Sequence, residues 1–189
     1  MSQKPVEVAP APVSAPIAVA KLSRDVPTPF SIELDAEALP DVARYLGVLS
    51  LGDVALSGEL FALDATGWQA VGHLHAIVEQ SCVVTLAPVL QEIDQEVLRR
   101  YIPSTEIAEE VEIVVTEDED GPDPFEDEID IGALLLEEIA LALDPYPRAK
   151  GAALETQVFA APGVKPMTDE DARPFAKLAA LKDKLQRPG

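Results

Sequence analysis

Cysteine, histidine and aromatic side chains are scarce in this chain of 189 residues, which has one Cys, two His and 5% Phe, Trp and Tyr. A single cysteine excludes an internal disulfide framework and agrees with a reducing, cytoplasmic setting. So few aromatic rings leave the core to Val, Leu, Ile and Ala, and a hydrophobic content of 48% is enough to build one. No apolar run approaches the roughly 20 residues that a bilayer requires, so no membrane contact is expected. Basic residues are missing from one long stretch: Tyr101 to Pro147 carries 16 Asp or Glu and no Lys or Arg. With a net charge of −20, the chain repels a phosphate backbone at long range and attracts basic partners. Any contact with RNA is then expected to be weak or indirect, through a protein or a local basic patch.

At this length one domain plus tails is the natural organisation. Residues 1–27, rich in Pro and Ala with no apolar period, read as a disordered leader. One Lys and interrupting prolines do not make a secretory signal. Structure is expected from Thr28. Pro29 to Leu34 alternates like a strand, and Asp35 to Leu46 reads as a short helix with Gly47 at its end. A β-meander follows, with strands over Val54–Leu63 and Trp68–Glu79 and a turn at Asp64–Gly67. Ser81–Leu86 continues or restarts a strand, and Val89–Ile102 is the last one. In it, Ile93, Val97 and Tyr101 oppose Glu92, Asp94 and Glu96. Ile107–Val115 fits strand or helix. Residues 116–128 read as an acidic, solvated loop. Residues 148–189 read as a linker followed by an amphipathic helix over Pro174–Arg187, with Phe175, Leu178, Leu181 and Leu185 as its stripe and Lys177, Lys182 and Lys184 off it.

The most apolar segment is Glu128–Pro147, EIDIGALLLEEIALALDPYP. Asp130 is the expected N-cap of a short helix. Ile131, Leu134, Leu135, Ile139 and Ala142 lie on one face, which Leu136, Ala140 and Leu143 widen. Pro145 and Pro147 stop it. A helix this apolar has to be buried, and the meander offers the surface. The fold expected is therefore α+β: an antiparallel meander, as an open sheet or partial barrel, covered by helices, with the amphipathic helix at the C-terminus.

Three blocks in order resemble the YceD family, the large ribosomal RNA subunit accumulation proteins. They are SCVVTLAPVLQEIDQEV at residues 81–97, the EIDIGALLLEEIALALDPYP block and RPFAKLAALK at residues 173–182. The matching positions are Asp130, Glu138, Ile139, Leu141, Leu143 and Pro147, then Pro174, Phe175, Leu178 and Leu181. Where the family often has Cys-x-x-Cys, this chain has Cys82-Val83-Val84-Thr85, and no cysteine follows in Arg148–Ala153. Structural zinc needs four ligands, so Cys82 reads as a remnant of a lost zinc motif. The resemblance implies a cytosolic bacterial factor for 23S rRNA accumulation and large-subunit assembly, with a ribosomal protein or large-subunit precursor as partner. It implies no catalytic residue, and for this chain no cofactor and no small-molecule substrate are expected.

The residues themselves offer few chemical sites. Cys82 reads as a small apolar strand residue rather than a nucleophile. His73 and His75 share a strand face and could supply two metal ligands, but no third ligand stands at a diagnostic spacing, so no metal is expected. Glu137 and Glu138 diverge by about 100° on a helix and read as its water-facing side, although the resemblance singles out Glu138, with a hydrogen bond to the sheet as its expected role. Arg99 and Arg100, with Lys177, Lys182 and Lys184, are the candidate RNA contacts, without the interleaved aromatics of single-strand binders. The chain reads as a non-enzymatic binding protein, with an acidic adaptor or chaperone-like role outside the ribosome as the alternative.

Overall fold

A computed structural model describes residues 11–107 and 121–153. In chain order the elements are β1 (Pro16–Ala18), a 3-10 turn (Val19–Lys21), β2 (Thr28–Glu33), α1 (Leu39–Leu46), β3 (Ser50–Leu63), β4 (Gly67–Ser81) and β5 (Pro88–Pro103). A single helical turn α2 (Ser104–Ile107), β6 (Asp123–Phe125), β7 (Glu128–Asp130) and α3 (Ile131–Ala142) complete it. The α+β class is as expected. β2, β3, β4, β5 and β6 form one five-stranded sheet in that order, antiparallel except for the short parallel β5–β6 pair. It is open, with β2 and β6 at its edges, and is no closed barrel. The expected C-terminal helix lies outside the described residues. Among the described residues no helix is long and apolar enough to cross a membrane.

The meander follows from period-two alternation. Val54, Leu56 and Leu60 of β3, Leu74, Ala76 and Val78 of β4, and Ile93 and Val97 of β5 are all buried on one face. α3 joins this core through Ile131, Leu134, Leu135 and Ile139. Phe30 of β2 reaches the same layer, over the paired Gly58 and Gly72. A Cβ on Gly58 would stand 2.3 Å from the Val71 carbonyl oxygen and 2.8 Å from the Phe30 ring. Only glycine fits there. α1 closes as expected on Gly47, whose φ of +71° is the left-handed helix cap.

Several boundaries differ from the sequence reading. The leader is not wholly unstructured: β1 pairs antiparallel with β7, Pro16 opposite Asp130 and Ala18 opposite Glu128. Three polar anchors hold this segment, where the lack of an apolar period pointed to disorder. The Asp130 carboxylate accepts from the Ala15 N–H at 2.7 Å and from the Ser14 hydroxyl at 2.7 Å. The Val19 N–H donates to the Asp127 carbonyl. Arg24 donates to the Leu63 and Asp64 carbonyls and stacks 4.9 Å from the centre of the buried Trp68 ring. The acidic loop expected over 116–128 is likewise shorter among the described residues, because buried Phe125 pins β6 beside β5 and β7 begins at Glu128. Ser81–Leu86 is a turn beyond Ser81 rather than a strand, since the Cys82 sulfur takes the Val84 and Thr85 N–H groups and so competes with a ladder.

Asp130 carries the most work for one side chain. It caps α3 through the Gly132 and Ala133 N–H groups while it holds the Ala15 backbone and Ser14. Desolvation pushes its carboxyl up, but these four donors together outweigh burial and hold it below the ordinary range. A depressed folded-state pKa stabilises the fold above the unfolded value of about 3.9, and that contribution is lost as pH falls through the folded pKa. Asp130→Ala is therefore expected to lower stability near neutral pH by about 1–2 kcal/mol. It should also flatten the loss of stability below pH of about 4, as read by chemical denaturation at a series of pH values.

Candidate functional site

β5 places two different chemistries on its two faces. Its odd-numbered residues face the core and α3, where Gln91, Gln95 and Arg99 alternate with apolar Ile93, Val97 and Tyr101. These three are the polar seam to α3. Gln91 donates to the Ala142 carbonyl at 2.7 Å and accepts from the Asp144 N–H at 3.1 Å, which satisfies the helix C-terminus. Gln95 donates to Glu138 at 3.4 Å. Arg99 donates to Glu138 at 2.8 Å and lies 3.3 Å from Glu137 and 3.5 Å from Asp123.

Arg99 and Glu138 are both buried, with 8% of each residue exposed. Desolvation opposes the guanidinium charge, but the hydrogen bond to Glu138 and the charges of Glu137 and Asp123 outweigh it and push its pKa up. The neighbouring Tyr101 phenol is also pushed up, by burial first and by the Asp123 charge second. This corrects two expectations. Arg99, expected to face RNA, is instead turned inward and paired with carboxylates of the fold. Glu138 does not face water: one 100° step turns it to the sheet, and both adjacent carboxylates converge because the two ends of one guanidinium reach them. A hydrogen bond from the sheet to Glu138 is what the resemblance pointed to.

Arg100, on the opposite face, lines an open groove of about 510 Å³ with Gln69, Glu96, Leu98 and Leu141, and Arg99 and Glu138 reach the same groove. Lys177, Lys182 and Lys184, and the motif positions Pro174, Phe175, Leu178 and Leu181, lie outside the described residues. Of the other motif positions, Ile139 is core and Leu143 packs against it, whereas Leu141 is exposed. Pro147 is buried, and its carbonyl accepts from the Val83 N–H.

That last bond ties the chain after α3 to the Cys82 turn. The Cys82 sulfur accepts three backbone N–H groups, from Val84 and Thr85 at 3.4 Å and from Ala149 at 3.3 Å. The Thr85 hydroxyl and the Ala149 N–H lower the thiol to about 6, against the opposing effect of burial. The two segments that the family resemblance associates with zinc ligands thus meet, but Cys82 is the one cysteine between them. Four-ligand zinc does not fit, and a thiol accepting main-chain donors closes the junction.

The outer face of β5 is acidic. Glu92, Asp94 and Glu96 follow at every second residue, all exposed, with His75 directly opposite Asp94 and His73 opposite Glu96. His73 Nε2 lies 2.7 Å from Asp94 Oδ1, and His75 Nδ1 lies 3.8 Å from Asp94 Oδ2. Glu126, Asp127 and Glu128 add a second exposed acidic run before α3. This surface has no nucleophile–base pair and no phosphate-binding loop among the described residues. Exposed carboxylates in rows are suited to long-range attraction of a cationic surface.

The family model described as "Large ribosomal RNA subunit accumulation protein YceD" matches residues 70–182. That span includes β4 from Ala70 onward, β5, the Cys82 turn, both acidic runs and α3. No curated protein and no solved structure matches significantly.

Proposed function

The chain belongs to the YceD family, the large ribosomal RNA subunit accumulation proteins, and from that premise we propose that it is a non-enzymatic factor supporting 23S rRNA accumulation and large-subunit assembly. It works in the bacterial cytoplasm as a binding protein, and its partner is a basic ribosomal protein or a pre-ribosomal particle that displays one. The observation that supports this choice of partner is the distribution of charge. Arg99 is spent on Glu138, Glu137 and Asp123 within the fold, while Glu92, Asp94, Glu96, Glu126, Asp127 and Glu128 are left exposed. A chain of net charge −20 meets RNA unfavourably and a lysine- or arginine-rich protein favourably.

Tagged full-length protein recovered from lysate at low and high salt tests this. Large-subunit proteins or 23S precursor should be enriched at low salt and lost at high salt, because exposed charges are screened beyond a Debye length of roughly 8 Å at physiological ionic strength. Unrelated clients, with no ribosomal enrichment over a charge-matched control, would instead favour an adaptor acting outside the ribosome.

A further inference from the structure

The geometry points to a divalent transition-metal site on the outer face of the sheet, held by His75, Asp94 and Glu92 with His73 orienting Asp94. The inference stands on these four side chains and is independent of the ribosomal reading. One ligand atom from each of His75, Glu92 and Asp94 lies within 4.8 Å of the other two. Ligands around a tetrahedral zinc ion sit about 3.3 Å apart, from metal–ligand bonds of about 2.0–2.1 Å. Small χ rotations of exposed side chains close that difference. Strand pairing fixes the constellation. His75 and Asp94 are register partners, and Glu92 follows two residues before Asp94 on the same face of β5.

Three features favour a cation there. His75 Nδ1 and Asp94 Oδ2, at 3.8 Å, are too far apart for a hydrogen bond to use up their lone pairs. Among the described residues nothing donates a hydrogen bond to Glu92. The side facing β3 is open, because Ser57 and Ala55 stand opposite His73 and His75. Asp94 is also oriented: His73 engages its other oxygen at 2.7 Å, as carboxylate and imidazole partners commonly do in the outer shell of metal sites. One imidazole and two carboxylates suit a borderline ion such as Zn²⁺ better than Mg²⁺, which prefers an all-oxygen, largely hydrated shell. A bound ion would bridge β4 to β5, relieve the repulsion between Glu92 and Asp94, and keep a coordination position open to water.

The chain has two histidines and both are at this site, which makes the test unambiguous. Zn²⁺ is titrated into metal-free full-length protein by calorimetry, with the imidazole resonances followed by NMR. We expect one Zn²⁺ per chain, shifts of the His75 imidazole, and an affinity lowered at least about tenfold in both His75→Ala and Asp94→Asn. An excess of Mg²⁺ should displace little of it. Circular dichroism of the two exposed-site variants checks that the fold is kept. Unchanged Zn²⁺ affinity in His75→Ala, unperturbed imidazole signals, or equal competition by Mg²⁺ would each overturn the site and leave only diffuse cation binding by the acidic surface.

Discussion

Arg99→Ala is expected to destabilise the protein by about 3–5 kcal/mol, the loss seen when one partner of a buried ion pair is removed. Glu138 would then keep its burial and its 3.4 Å contact with Gln95 but lose the 2.8 Å bond to a cation. Glu137 and Asp123 would lose their shared counter-charge as well. These two are partly exposed and can turn to water, so most of the penalty falls on Glu138. The converse substitution separates pairing from packing. Arg99→Leu combined with Glu138→Leu should recover to within about 2 kcal/mol of wild type, because a buried pair replaced by apolar groups of similar size is often neutral. Urea denaturation of the three proteins gives the comparison. A single Arg99→Ala that costs under about 1 kcal/mol would mean the pair is solvated like a surface salt bridge.

Gly58→Ala should cost roughly 4 kcal/mol or more, a large part of the 5–15 kcal/mol that holds an ordinary domain together. The added Cβ would meet the Val71 carbonyl oxygen at 2.3 Å and the Gly72 Cα at 2.6 Å, both main-chain atoms of the neighbouring strand. The Phe30 ring at 2.8 Å is the one obstacle that can move. Adding Phe30→Leu should therefore rescue only part of the loss, and the remainder measures how far β3 and β4 must separate. Full rescue would show that the ring alone sets the requirement for glycine. Thermal melts of the single and double variants settle this, with Ser57→Ala on the exposed face of the same strand as a near-neutral reference.

Much of this architecture was legible from spacing. Alternation in Val54–Leu63, Trp68–Glu79 and Val89–Ile102 is a local property, and one buried face follows from it. Asp130 before an apolar helix and Gly47 after a short one are local signals too, and both behave as caps. What sequence did not reveal depends on strand register and on partners far apart in the chain. Ser14 and Ala15 are held by Asp130, more than 100 residues away, and no compositional argument reaches that distance. Arg99 read as a surface cation because arginine is seldom buried unless paired, and its partners Glu137, Glu138 and Asp123 come from α3 and β6. Its odd-numbered position, in phase with Ile93, Val97 and Tyr101, was the available signal that it faces inward. For His73 and His75 the shared face was readable, but the carboxylates that join them depend on which residue of β5 pairs with which of β4.

The acidic outer surface and the family to which the chain belongs support the proposal that cells need this protein to keep their large-subunit RNA. The most direct measurement is the ratio of 23S to 16S rRNA in the source organism with the gene deleted and with it restored. The account predicts a fall in that ratio on deletion, return to normal with the wild-type gene, and no return with the unstable Gly58→Ala variant. An unchanged ratio after deletion, under growth that demands rapid ribosome synthesis, would contradict it.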